Sequence, residues 1–345
     1  MGLKQALYLH IGYHKTGTTS LQSLLDENRT ALLDMGVFYP DTKGDGKRNY
    51  FRKHLEFYIA LKTALAERGD LSTPIRAMAN AILATGAPVA VISEESISGF
   101  PEPVLDALAG FRTDFDVKVI AVLRRQDSFL QSFYQQSIRD FGETLDFPEF
   151  LKGSDWKRIH YDTAMQRWAD RFGQENMHVF SYDLLGNGTA LIPSVMDILL
   201  GGRRADFMDP SRNRNRSLPT ICYETLKLLN RSAAPEIERR AVYKAMHDYV
   251  NSAAFSATRL SDKSLAKTYL TPEISQVIAN VFDVSNARTA EMFFGGTHPF
   301  PEMMKPSRTG PDLAELTSER PGFAPRDMIG LLSHILINGN RGQQK

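Results

Sequence analysis

Between Gly12 and Ser20 the chain reads Gly-Tyr-His-Lys-Thr-Gly-Thr-Thr-Ser, which gathers glycines, a lysine and several small hydroxyl side chains into one short stretch. A glycine-bearing turn that leaves a buried strand and enters a helix points successive backbone N–H groups, and the helix dipole, at one place. That geometry suits an anion such as a phosphate. Thr18, Thr19 and Ser20 add neutral donors, and Lys15 adds a positive charge. The loop is not of the Walker A kind, because there the lysine follows the second glycine, whereas here Thr18 follows Gly17 and Lys15 stands two residues before it. A plain turn in which Thr18 or Thr19 only caps the helix is the competing reading.

A second group follows an apolar run, Val117 to Leu123: Arg124-Arg125-Gln126-Asp127-Ser128 and, further on, Ser132. Taken singly, Arg124 is an ordinary strand-end ion-pair partner and Ser132 an ordinary helix-surface serine. Glu94 and Glu95 follow the buried-type run Ala87 to Ile92, at the edge where open α/β sheets build their sites. A carboxylate pair there also suits a solvated helix start. His54 stands in an expected helix with Leu55, Tyr58 and Leu61; a lone helical histidine is otherwise a partly buried one. His10 and His14 straddle a strand-to-loop junction, so they share no helix face and form no metal pair.

The elements that must position these residues are legible as periodicities. Ala6 to Ile11 reads as a strand, and Leu21, Leu24, Leu25, Leu32 and Leu33 recur at helical spacing after the loop. Gly36 to Pro40 reads as a second short strand, the runs 87–92 and 117–123 as buried strands, and Met177 to Tyr182 as a further one. Trp156 to Phe172 is an amphipathic helix stopped by Gly173, with Ala164, Trp168 and Phe172 on its core face. Strands alternating with helices predict an α/β fold, a parallel sheet with helices on both faces. From about Ile192 onward the chain reads as mostly helical, broken by the basic stretch 211–219; prolines then cluster from Pro299 to Pro325 before a last apolar stretch, Met328 to Ile337. This divides the chain into residues 1–300, whose part 205–295 is largely helical, and a proline-rich tail over 301–345 ending in a helix.

The run His10 to Gln22 resembles the 5′-phosphosulfate loop of sulfotransferases that use 3′-phosphoadenosine 5′-phosphosulfate (PAPS). The segment from Arg124 to Ser132 is similar to that family's 3′-phosphate element, which keeps an Arg at a strand end and a Ser eight positions on. Weaker similarity to bacterial, carbohydrate-modifying members runs on through Gly36 to Pro40, Ser93 to Ser98, His160-Tyr161-Asp162, Asn215 to Leu218 and Ser285 to Arg288. The resemblance implies a P-loop-like central parallel sheet with a helical C-terminal extension, and a sulfotransferase that moves the sulfuryl group from PAPS to an acceptor hydroxyl, on a carbohydrate or related metabolite. It implies that Gly12, His14, Lys15, Thr16, Gly17, Thr18, Thr19 and Ser20 hold the 5′-phosphosulfate, that Arg124 and Ser132 hold the 3′-phosphate, and that a basic loop with Arg214 and Arg216 covers it. Lys15 is then the stabiliser of the leaving phosphate, with PAP as product and no metal required. The base is Glu95, Glu94 or His54, of which Glu95 is preferred because Glu95-Ser96-Ile97-Ser98 is similar to the family's wording; His10 and His14 shape the loop. Arg125-Gln126 departs from the family's common Asn-Pro. An ATP-dependent phosphotransferase and a non-catalytic nucleotide-binding module are the alternatives.

Composition agrees with a folded catalyst. Among 345 residues, 42% are hydrophobic and 23% charged, and the formal charge is +1, so no bulk field draws the chain onto nucleic acid or an anionic membrane. The single cysteine, Cys222, leaves no disulfide framework, and the first residues lack a signal-peptide pattern; a cytoplasmic location is expected.

Overall fold

The computed structural model describes residues 4–13, 16–41, 53–153, 156–203, 207, 218–231, 239–250 and 268–301. His14, Lys15, Arg214, Arg216, the stretch 211–217 and the tail 302–345 lie outside the described residues. The chain forms two compact units, neither continuous in sequence. The first comprises Met1–Arg125, Trp156–Arg214 and Phe282–Pro301, and the second Gln126–Asp155, Asn215–Val281 and Glu302–Lys345.

The first unit is built on a five-stranded parallel sheet with the order β2-β3-β1-β4-β5. Its strands are β1 (Gln5–His10), β2 (Val37–Phe38), β3 (Val89–Ser93), β4 (Phe115–Leu123) and β5 (Met177–Ser181). Each matches an apolar run visible in the sequence. Side chains alternate across β1: Leu7 and Leu9 point to one face, while Tyr8 and His10 share the other. On that second face Tyr8 joins Leu21, Leu24 and Leu25 of α1 (Thr18–Glu27), Leu32 of α2 (Arg29–Asp34), and Leu191, Val195 and Leu199 of a helix Leu191–Leu200 in one buried cluster. The remaining helices of this unit include Leu55–Ala66, Ser72–Leu83, Glu102–Ala109 and Tyr161–Phe172. Gly173, at φ 88°, ends the last of these, as the sequence predicts; its start differs, because Trp156–Ile159 forms a separate 3-10 turn before His160.

Topology decides where this sheet can hold a ligand. The chain leaves β1 toward the β2 edge and leaves β4 toward the β5 edge, so the two connections diverge between β1 and β4. At such a switch point a crevice opens beyond the carboxyl ends of the strands.

The second unit is helical among its described residues. It contains Gln126–Gln136, a π-turn at Ser137–Phe141, Phe147–Gly153, Thr220–Arg231, Arg239–Val250 and the first part of the long helix Pro272–Phe293. No helix among the described residues is long and apolar enough to cross a membrane.

Candidate active site

The loop after β1 begins as an extension of the strand. Ile11 N–H donates to the Ile120 carbonyl at 2.9 Å and Tyr13 N–H to the Val122 carbonyl at 3.4 Å, which lays residues 11–13 along the end of β4. Thr16 Oγ donates to the Tyr13 carbonyl at 2.6 Å and closes the turn. Gly17 then stands at φ +82°, a conformation that disfavours any side chain, and its carbonyl accepts the N–H groups of Ser20 and Leu21. The first turn of α1 contains no acidic residue and no side-chain cap. The N–H groups of Thr18 and Thr19 and the helix dipole are therefore left for an external acceptor. Thr16 and Thr18 are buried, and Thr19 is exposed.

Arg124 and Arg125 follow β4, the strand that neighbours β1. The Arg124 guanidinium lies 5.4 Å from the Tyr182 ring centroid, and its carbonyl accepts the Tyr161 hydroxyl at 2.6 Å. Arg125 N–H donates to Asp183 at 3.2 Å. Tyr182 itself is anchored by its N–H on the Leu123 carbonyl. A Cβ placed on Gly17 would stand 3.6 Å from the Tyr182 ring, so loop crown and Arg124 face the same aromatic. Sequence reasoning passed over Tyr182 as the end of a strand; its position just past β5, at the carboxyl edge of the sheet, was the available signal. Ser132 lies on the helix Gln126–Gln136 in the second unit, where it is partly buried.

The other sequence candidates meet at the end of β3. Ser93 Oγ lies 2.7 Å from His10 Nδ1 and accepts from Gln22 Nε2 at 3.1 Å; the same amide nitrogen donates to Glu95 Oε2 at 3.0 Å. Lys53 Nζ binds Glu94 at 2.9 Å and Glu95 at 3.2 Å. Burial alone would lower the Lys53 pKa, but the two carboxylates outweigh it and hold the ammonium above its ordinary value. Glu94 caps a 3-10 turn, Glu95–Gly99, by accepting Ser96 N–H at 3.0 Å.

His54 precedes its helix and is fully walled in. Its Nδ1 accepts Ser93 N–H at 3.0 Å, which puts its own proton on Nε2. Burial pushes both His10 and His54 down to about 4, so both are neutral near pH 7. Gln22, noted in the sequence only as the end of the loop motif, and Lys53, unremarked there, prove to be direct partners of Glu95.

No protein-family model matches the chain, and no curated protein matches it. Among solved structures it is similar to a sulfotransferase from Alicyclobacillus acidocaldarius, at 17% identity and TM-score 0.39, over 67% of this chain and 92% of that one. It is also similar to mouse sulfotransferase SULT7A1 complexed with PAP, at 14% identity and TM-score 0.38, over 86% of this chain and 88% of that one.

Proposed function

We propose that the chain is a PAPS-dependent sulfotransferase that transfers a sulfuryl group to the hydroxyl of a carbohydrate or related metabolite. The observation that supports this reading is the common approach of Gly17 and Arg124 to Tyr182: the loop after β1 and the arginine after β4, far apart in sequence, stand against one side chain. A donor with anionic groups at both ends needs two such sites, each combining cationic and neutral donors. The residues fit that group, since the uncapped first turn of α1 and a strand-end arginine offer separate anion contacts.

PAPS, when bound, supplies an activated sulfuryl group. In the proposed roles Gly12, His14, Lys15, Thr16, Gly17, Thr18, Thr19 and Ser20 hold its 5′-phosphosulfate, and Arg124, Ser132, Arg214 and Arg216 hold its 3′-phosphate. Lys15 neutralises the charge that grows on the leaving oxygen. Glu95 receives the acceptor's proton at its carboxylate, which is paired with Lys53 and oriented by Gln22. Of the base candidates, Glu95 is favoured over His54, whose Nδ1 lone pair is taken by the Ser93 N–H, and over Glu94, which is fully buried as a cap.

Calorimetry with 3′,5′-ADP and with ATP, on the wild type, Lys15→Ala and Arg124→Ala, tests the reading. The expected outcome is tight binding of 3′,5′-ADP, little of ATP, and loss mainly of 3′-phosphate selectivity in Arg124→Ala. Equal affinity of the wild type for both nucleotides would overturn the cofactor and favour the phosphotransferase; binding without turnover on any acceptor would favour the non-catalytic module.

A further inference from the structure

His10 is the last residue of β1 and its side chain is 1% exposed. Its Nε2 has no hydrogen-bond partner among the described residues. A buried ring nitrogen without a partner loses the hydration it had in water and gains nothing in return. Its position explains why it persists. A Cβ placed on Gly12 would stand 3.0 Å from His10 Nε2 and 3.0 Å from Thr18 Cγ2. The nitrogen therefore lies beneath the loop, between its first glycine and the first residue of α1, at the helix end that lacks both a cap and an acidic side chain.

Neighbouring bonds constrain where the ring carries its proton. Glu95 accepts only, so the Gln22 amide must turn its nitrogen toward Glu95 and Ser93. Ser93 Oγ accepts from that nitrogen and is also hydrogen-bonded to the Tyr39 hydroxyl. When the Ser93 hydroxyl gives its proton to His10 Nδ1, the neutral ring keeps its own on Nε2.

We propose that His10 is a ligand-binding residue whose Nε2–H donates to the oxyanion held at the N-terminus of α1. This rests on the reading of the loop as a 5′-phosphate site and adds a contact from beneath it. It also ties that site to the candidate base, because His10, Ser93, Gln22 and Glu95 form one hydrogen-bonded chain. An anion bound at one end polarises the chain that positions the carboxylate at the other.

Two substitutions separate the ring's two nitrogens. His10→Asn keeps a group that can reach Ser93 but removes the reach of Nε2; His10→Gln extends an amide toward the Nε2 position. Affinities are measured for 3′,5′-ADP and for adenosine 3′-monophosphate, which lacks the 5′-phosphate. His10→Asn should weaken 3′,5′-ADP by about tenfold, leave adenosine 3′-monophosphate unchanged, and be largely rescued in His10→Gln. In the wild type, 15N-histidine NMR should show His10 protonated on Nε2, with that proton shifting downfield when 3′,5′-ADP is added; this readout stands even if the variants fold poorly. A wild type that does not prefer 3′,5′-ADP over adenosine 3′-monophosphate would overturn the cofactor reading and this inference together. A preference that persists in full in His10→Asn, or a His10 resonance unmoved by bound 3′,5′-ADP, would overturn the role of His10 alone.

Discussion

Each unit sets a lysine among carboxylates, and the two clusters differ in what they leave undone. In the second unit Lys227 is 1% exposed and spends its donors on the Tyr134 hydroxyl, Asp146 and Glu224 at 3.2, 2.7 and 3.0 Å. Tyr134 in turn donates to the Leu145 carbonyl and Tyr269 to Glu224. In the first unit Lys53 also bridges two carboxylates, yet His10 Nε2 and Glu94 Oε2 remain buried without partners among the described residues. A closed network fixes a fold and asks nothing more; a network with orphaned buried atoms is one that a ligand can complete. On the proposed function, the Lys227 cluster is expected to act as scaffold and the Ser93 cluster to take part in binding and chemistry.

That contrast can be broken most directly at Glu95. Glu95→Gln should reduce transfer by about 10²–10⁴-fold while the unfolding midpoint hardly moves, once an acceptor is in hand; full turnover would remove it from the mechanism. Lys15→Ala follows, with an expected loss of about 10²–10³-fold in turnover, read in single-turnover assays so that binding and transfer separate.

Acid sharpens the contrast through stability. His10 and His54 titrate at about 4 when folded, depressed first by burial, against 6.5 unfolded, so between these values the unfolded chain binds more protons. Their neutral burial is fully compatible with folding above pH 6.5, and stability falls as pH drops toward 4, by roughly 3 kcal/mol per ring. His54→Gln should flatten part of that slope in denaturant titrations at stepped pH; an unchanged slope contradicts the assignment. Lys227 behaves oppositely. Burial alone would lower its pKa, but Asp146 and Glu224 raise it, so its contribution is intact below pH 10.5 and is lost only as pH climbs through the folded value.

Smaller effects remain. Lys227→Met should lower stability by about 1–3 kcal/mol, the scale of losing a partly buried hydrogen-bonded ion pair, and leave 3′,5′-ADP affinity unchanged; a loss of affinity at constant stability would mean that this cluster is more than scaffold. Gly17→Ala should cost about 1 kcal/mol, because φ is +82° and the added carbon would press against Leu191 at 3.2 Å; an unchanged unfolding midpoint would mean that the turn can relax.

Much of the fold was legible because strands and their neighbours repeat with simple periods. Every strand of the sheet coincides with an apolar run, and the glycines at 17 and 173 stand where positive φ ends or begins a helix. Boundaries were harder: the helix expected over 156–172 gives way to a 3-10 turn and a shorter helix, and Ser72–Leu83, whose apolar face is thin in sequence, was not anticipated. The weaker motifs gained meaning only in space. Asp162 and the Ser285 to Arg288 segment, matched separately in sequence, meet in a hydrogen bond from Ser285 and an ion pair with Arg288.

The sequence by itself determined the local chemistry: a loop built to offer N–H groups, an arginine at a strand end, carboxylates after a buried run. These follow from residue type and short-range spacing, which fix backbone conformation and side-chain inventory. Only the tertiary structure decided which of two adjacent glutamates faces a glutamine, that one histidine is locked by a backbone N–H, and that another turns an unpaired ring nitrogen toward the loop. Those distinctions depend on partners 39 to 83 residues away along the chain, brought together by strand order and burial, and no local pattern encodes them.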